Sequence, residues 1–437
     1  MALVAPSIMS ITTCLQLEGL QNKRSSFHRY IFSEAQSQPL APNTNTEEQK
    51  PAIPNTPQPV EAKQRVLLLK AAREQYTLVD DHHVPSILHP GEVLVKVLAI
   101  GLNPIDWKGP AYNFGIPSLP WINGRDLAGL VLQVPNESSR LRVGDIVLVP
   151  STDYRDIRKA AFQEYAIATD FNAARIPSST SIHASASLGV AFVAAVLALG
   201  VSFGLDFSRL TRSPGPNLVN VINQLNKNDI PADIRDEVFA TSDESDRPQN
   251  GDWLAIWGAS TTTGLVALQL AKLAGLRVIC VADAARHGAK LIEFGADLVV
   301  DRHDTDRAVE IIRGVTGGKL RYAIDIVGKD TATILEKTLD PLGNAHLLGL
   351  TGLPQERKSG IKYHTVPIKL FHTAPAVGES MVTWLENLLQ SGTLTLPEIV
   401  RAEGGLEGIN AALDVLRSGT ASGKRIVVDL SSKQALP

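Results

Sequence analysis

Trp253–Trp257 (WLAIW), Gly258–Gly264 (GASTTTG) and residues 265–275 (LVALQLAKLAG) read as an apolar strand, a turn of small residues and an amphipathic helix. That order aims backbone N–H groups and the positive end of a helix at one point, which suits a phosphate. The usual dinucleotide-binding turn carries three glycines. Here Ser260, Thr261, Thr262 and Thr263 stand between Gly258 and Gly264, and their hydroxyls can donate to phosphate oxygens. The next apolar run, LRVICVA (276–282), leads to Asp283, Ala284, Arg286 and His287. An acid at such a strand end bonds a ribose 2′-OH, whereas a basic residue holds a 2′-phosphate. The residues alone leave that choice open.

Metal and thiol chemistry find little to use. Cys14 and Cys280 are the only cysteines, too few for a disulfide framework or a four-cysteine zinc site, and they fit a reduced intracellular setting. His82 and His83 are adjacent, in what reads as a loop, with no further ligand at metal spacing. His364 and His372 fall on or beside one late strand and read as structural, with pocket lining as the alternative for His372. Tyr112 and Tyr165 are candidate proton donors, against the commoner reading of core tyrosines with satisfied hydroxyls.

The elements that must position these groups follow from patterning. The 437 residues suggest two to three domains at ~150 residues each. Hydrophobic residues make up 44%, enough for a real core, and a net charge of −3 offers no field to attract nucleic acid. Residues 1–33 hold one acid, Glu18, against Lys23, Arg24 and Arg29, a composition weakly like a mitochondrial transit peptide; a disordered extension is the plainer reading. Residues 36–60 are rich in Pro, Asn, Thr and Gln and read as a linker, so the folded chain is expected to start near Gln64. Residues 184–205 carry no charge over a length that could span a bilayer. Their Ala, Gly and Ser content, without flanking basic or aromatic belts, predicts a buried helix instead. Residues 64–178 show β-rich runs at 65–70, 92–103, 127–134 and 144–150. From Trp253 onward strands and helices alternate, which predicts a parallel sheet covered on both faces. Residues 206–250 are polar and turn-rich, and read as a surface insertion with one short helix around Leu218–Leu225.

The order of several motifs resembles the medium-chain dehydrogenase/reductase superfamily from about residue 64 to 431. The stretches are NPIDWK (103–108), INGRDLAGLV (122–131), VGDIVLV (143–149), AFQEYAIA (161–168), GASTTTG (258–264), FGADLVVD (294–301), YAIDIVG (322–328) and residues 404–430. Within it the chain looks like the fungal, zinc-independent, quinone-oxidoreductase-like branch that includes trans-acting enoyl reductases of polyketide biosynthesis. The resemblance implies an α/β fold: a doubly wound Rossmann domain plus a mainly β, GroES-like catalytic domain. The division it implies is a disordered extension over 1–61 and catalytic parts over 62–185 and 376–437. The nucleotide-binding domain then covers 186–375, with the insertion at 206–250.

It implies an NADPH-dependent, metal-free reductase of an activated C=C bond. The substrate would be a carrier-bound enoyl thioester from a polyketide synthase in secondary metabolism. A reductase of free enones or quinones, a mitochondrial enoyl reductase and a non-catalytic NADPH-binding protein are the alternatives. Zinc-dependent members hold a Cys and a His at the positions of Asn103 and Arg125, and neither replacement supplies their ligand chemistry. Without a metal, alcohol oxidation loses its Lewis acid, whereas hydride addition to a polarised double bond does not need one.

Carried residue by residue, the resemblance places Asn103, Asp106 and Lys108 at the catalytic site, with Pro104 and Ile105 against the cofactor. It gives the pyrophosphate to Ser260, Thr261, Thr262, Thr263 and Gly264. Ala284, Arg286 and His287 meet the adenosine phosphate, with Arg286 the main contact; Arg302 lies near the adenine, and Leu348 and Gly349 beside the nicotinamide. Leu188, Gly189, Val190, Ala191, Phe192 and Ala194 border the substrate pocket. Arg125 is expected to pair with Asp126 or Asp106. The setting implied is cytoplasmic, as monomer or homodimer, without nucleic acid or membrane as partner; residues 1–33 keep a mitochondrial address open.

Overall fold

In a computed structural model the described residues are 62–240 and 243–431. The expected transit peptide, linker and disordered extension lie outside them. Apolar, β-branched runs between Gly and Pro form the strands of the first half. These are β1 (Lys63–Leu69), β2 (Thr77–His83), β3 (Glu92–Gly101), β4 (Trp121–Ile122), β5 (Asp126–Gln133), β6 (Ile146–Pro150), β7 (Tyr165–Thr169) and β8 (Ala174–Arg175). One helix interrupts them, α1 (Pro104–Tyr112), with proline in its first turn, where the missing N–H costs nothing. His82 and His83 end strand β2, not a loop. The run TLVDDHH alternates too weakly for its strand to be read from pattern.

The uncharged stretch 184–205 is buried but is not one helix. It folds as α2 (Ile182–Ala186), α3 (Gly189–Leu197) and a π-helical turn over Ala198–Ser202. Serine hydroxyls cause the first break: Ser185 Oγ donates to Ser181 O (2.8 Å) and Ser187 Oγ to Ala184 O (2.7 Å), competing with the helical ladder. Among the described residues no helix is long and apolar enough to cross a membrane.

The segment 206–250 corrects the expectation of a surface insertion. It carries α4 (Leu218–Ile222), as expected, and a second helix, α5 (Ala232–Val238). Phe207, Leu218, Ile222, Ile230 and Val238 are buried in the main core. Those apolar residues are spread singly among polar ones, so no periodicity announces them.

From Trp253 the alternation runs β9 (Trp253–Trp257), α6 (Thr262–Leu273), β10 (Arg277–Ala282), α7 (Ala284–Glu293), β11 (Leu298–Asp301) and α8 (Thr305–Thr316). It continues with β12 (Tyr322–Asp325), α9 (Lys329–Glu336), β13 (Ala345–Gly349) and β14 (Ile361–His364). These six strands make one parallel sheet in the order β11-β10-β9-β12-β13-β14, the doubly wound arrangement expected. The chain then forms α10 (Leu370–Thr373), α11 (Pro375–Gln390), β15 (Ile399–Ala402), α12 (Ile409–Ser418) and β16 (Arg425–Asp429). The last strand returns to the first half: β16 pairs antiparallel with β3, in a sheet ordered β15-β16-β3-β5-β6-β8. His372 lies on α10, away from the strand that carries His364.

Candidate active site

In the parallel sheet, β9 is flanked by β10 on one side and β12 on the other, and the chain winds outward from it both ways. That is a topological switch point, where a crevice opens beyond the carboxyl ends of the strands. The β9–α6 turn sits at this place. Gly258 has φ +85°, which favours glycine. A Cβ at Gly264 would lie 2.7 Å from Ala259 Cα, so only glycine lets the helix start this close to the turn. Thr261 caps α6: its Oγ1 accepts from Gly264 N–H at 3.1 Å. Thr261 is exposed, Ser260 and Thr263 are half-buried, and Thr262 is buried.

The ends of β10 and β11 lie on the same edge. Asp283 caps α7, accepting from Arg286 N–H at 3.1 Å, and Asp301 accepts from Ala284 N–H at 3.1 Å. Both carboxylates thereby meet the backbone of α7, and both lie below the usual carboxylate range, Asp301 chiefly through the His303 N–H (2.7 Å) and then that of Ala284. For Asp283 the cap and His303 outweigh a desolvation that pushes the other way. The Arg286 and Arg302 side chains are exposed and make no ion pair or side-chain hydrogen bond among the described residues. His287 points elsewhere: it is buried, its Nε2 meets Ser422 Oγ at 3.0 Å, and burial lowers its pKa. Leu348 is fully buried in the core, so only the backbone at Leu348–Gly349 faces the edge.

The 103–108 segment forms the start of α1. Asp106 accepts from Asn103 N–H at 2.7 Å, closing the helix start. It does not contact Lys108. Its other oxygen is buried without a partner, and burial pushes the carboxyl up to about 7. Tyr76, absent from the sequence reading, donates its hydroxyl to Asp106 O (2.6 Å) and accepts from Asn123 Nδ2 (2.9 Å). Lys108 is half-buried and makes no hydrogen bond or ion pair among the described residues; its ammonium lies 5.7 Å from the centre of the Trp107 ring. Pro104 is exposed and Ile105 half-buried.

Arg125 does not pair with Asp126 or Asp106 as expected. Its guanidinium lies over the Tyr154 ring at 5.4 Å. The partner of Asp126 is Arg425, at 3.4 Å, which also donates to Asn103 Oδ1 at 3.1 Å. Asn103 Nδ2 donates to Asp126 Oδ2 at 2.8 Å, and Val190 N–H to Asp126 Oδ1 at 2.7 Å. The sole hint in the sequence was a charge opening each of two apolar strands, DLAGLV and RIVVDL.

The run 188–194 packs as core. Leu188, Ala191, Phe192 and Ala194 are buried, and Phe192 meets Trp384 with ring centres 6.0 Å apart. Gly189 and Val190 instead sit against Asp126. Tyr112 is exposed and Tyr165 buried.

This pairing of a β-rich half with a switch-point sheet is a dehydrogenase architecture. Residues 89–178 match the alcohol dehydrogenase GroES-like domain, and residues 262–374 match the zinc-binding dehydrogenase domain. In both parts the chain is similar to the medium-chain dehydrogenase/reductase superfamily. It is 28% identical over 401 residues to the trans-enoyl reductase caaB of Aspergillus niger, covering 84% of this chain and 98% of that one. It is 27% identical to a trans-enoyl reductase of Gibberella fujikuroi, covering 84% and 99%. Among solved structures, the Escherichia coli quinone oxidoreductase complexed with NADPH has the same fold (TM-score 0.62, 18% identity, 84% and 99% covered). So does the CurK enoyl reductase (TM-score 0.60, 15% identity, 84% and 99% covered).

Proposed function

We propose that this protein is an NADPH-dependent, metal-free reductase of an activated C=C bond, acting in trans on a polyketide enoyl thioester in secondary metabolism. The observation that carries the reading is the switch-point edge. A glycine-backed helix start and two exposed, unpaired arginines line up there on consecutive strand ends. The names of the fungal relatives supply the substrate class.

The edge fits the cofactor. Ser260–Gly264 would receive the pyrophosphate at the N-terminus of α6, and Thr261 keeps a hydroxyl hydrogen to donate while its oxygen caps the helix. Arg286, with Arg302 beside it, would take the 2′-phosphate, because Asp283 and Asp301 are already spent on backbone N–H groups. The backbone of Leu348–Gly349 and the Pro104–Ile105 turn would flank the nicotinamide. When bound, NADPH supplies a hydride for the β-carbon of the enoyl group. Lys108, half-buried and unpaired, would hold the thioester carbonyl or the cofactor ribose in line, and the α-carbon then takes a proton. Residues 62–185 with 376–437 form the catalytic part on this reading, and 186–375 the nucleotide-binding part.

Zinc is a poor fit to these residues. Asn103 spends its amide on Asp126 and Gly101, and Arg425 donates to its oxygen. A fixed guanidinium at that point repels a cation.

The test is absorbance loss near 340 nm with crotonyl N-acetylcysteamine, NADPH against NADH, with metal content measured on the same sample. The expected outcome is turnover strongly preferring NADPH in zinc-free protein. Arg286→Ala should weaken NADPH binding about 10-fold or more and leave NADH unchanged. Lys108→Ala should lower kcat about 10- to 100-fold. Turnover with free enones or quinones but not with thioesters would reassign the substrate. Absence of any cofactor binding would overturn the reading.

A further inference from the structure

Two carboxylates and two guanidinia meet around the start of α1: Asp106, Asp126, Arg125 and Arg425. Asp126 is fully buried, and Arg425 is 8% exposed. Burial raises the Asp126 carboxyl above its usual range and lowers the Arg425 guanidinium below its own, so each holds its charge by meeting the other. Asp126 is a hub. It accepts from Val190 N–H at the start of α3, from the Asn103 amide ahead of α1, and from Arg425 on β16, the last strand. Nothing bulkier than glycine fits beside it: a Cβ at Gly189 would collide with Asp126 Oδ1.

Arg425 makes a distinctive pair of contacts. One nitrogen, Nη2, reaches both Asn103 Oδ1 (3.1 Å) and Asp126 Oδ2 (3.4 Å), while its Nε is buried without a partner. A residue needed only to neutralise Asp126 would aim its guanidinium at the carboxylate in the two-bond fork that arginine favours. Here it is shared with the Asn103 side chain, and Asn103 is the N-cap from which α1 carries Lys108.

We propose that Arg425 is a positioning residue: with Asp126 it clamps Asn103, and so fixes the start of α1, whose next turn carries Lys108. This rests on the reading above of 103–108 as the reactive segment. The clamp also joins three distant parts of the chain: the start of α3, the start of α1 and β16.

Full-length Arg425→Lys tests it. Lysine keeps the charge for Asp126, but its flexible stem lacks the rigid planar guanidinium that holds Nη2 between the two oxygens. The pair variant Asp126→Asn/Arg425→Met removes both buried charges together, in case the single change does not fold. Measurements are the Kd of NADPH by fluorescence, kcat and KM with crotonyl N-acetylcysteamine, melting temperature, and amide exchange of residues 103–108. For Arg425→Lys, kcat should fall about 10- to 100-fold, NADPH Kd should stay within about 3-fold, and exchange over 103–108 should quicken while the parallel sheet is unchanged. Full kcat with unchanged exchange, in either variant, overturns the proposal. So does a loss of kcat that only tracks the fraction of protein still binding NADPH, which would mean stability alone. If the parent protein binds NADPH without turnover, the reductase reading falls, and the exchange of 103–108 still decides the clamp.

Discussion

Two buried polar clusters tie distant parts of this chain together, and they differ in how deeply their cations are buried. Around Asp126 the cluster is ionic, with a carboxylate and a guanidinium shut away from water. At the far edge of the parallel sheet it is built on two stacked imidazoles. His346 Nδ1 meets His364 Nε2 at 2.9 Å with the rings stacked, His364 Nδ1 meets Glu237 at 3.0 Å, and His346 Nε2 lies 3.3 Å from Asp246. Both carboxylates there come from the 206–250 segment, which the pair fastens to β13 and β14. Asp246 is further held by Arg321 at 2.6 Å, by Lys362, and through its backbone by the Tyr322 hydroxyl. The ionic cluster stands beside the candidate reactive segment, where a fixed charge helps to set geometry. The histidine cluster fastens the 206–250 segment, and the cations that meet Asp246 there stay partly in water, the Arg321 side chain 29% and Lys362 51% exposed.

The largest expected difference is in single truncations. Asp126→Ala strands Arg425 as an uncompensated buried charge and should cost about 3–5 kcal/mol in urea unfolding. His364→Leu removes two hydrogen bonds but strands no cation, and should cost about 1–3 kcal/mol. Equal costs would break the comparison.

The two regions should next differ in the sign of their pH dependence. Burial, with the neighbouring His364, lowers His346 to about 4 from an ordinary 6.5, against the pull of Asp246. The fold therefore favours the neutral ring, and its contribution is complete above 6.5 and lost as pH falls from 6.5 towards 4. Asp106 is the reverse. Burial raises its carboxyl from 3.8 to about 7, so its contribution is complete below 3.8 and lost as pH rises towards 7. Melting temperatures between pH 4 and 7.5 should show His346→Gln flattening the loss of stability on the acid side and Asp106→Asn removing a loss of stability as pH rises towards 7. Slopes of the same sign in the two variants would sink this contrast.

The smallest effect is expected at the rim of the histidine cluster. The Lys362 side chain is about half exposed, at 51%, so Lys362→Ala should cost less than about 1 kcal/mol despite its ion pair with Asp246. A larger loss would mean that Lys362 orders the cluster and does not merely cap it.

The strands and helices of the parallel sheet were legible because each is a local pattern. WLAIW is β9 to the residue, and the helix expected over 265–275 is α6 at Thr262–Leu273, which starts within the threonines of the turn. The turn between them was legible for the same reason, since its glycines and threonines act on their own backbone. Strands β2 and β7 were not, because short edge or half-polar runs lack a clear period. The ionic centre was hidden for a different reason. Asn103 and Arg425 are 322 positions apart, and nothing in either neighbourhood names the other. Small apolar residues serve a tight core as well as a pocket wall, and the core is where Leu188, Ala191, Phe192 and Ala194 lie.

By itself the sequence determined the alternation, the phosphate-type turn and the absence of zinc-ligand residue types at 103 and 125, because side-chain chemistry and local periodicity are written residue by residue. Tertiary structure alone decided which charges meet. Arg425, not Arg125, neutralises Asp126, and Asp283 turns to its own helix while Arg286 is left exposed. Those choices depend on where β16 and α7 come to rest, and on a burial cost for unpaired charge that exists only once the chain has closed around them.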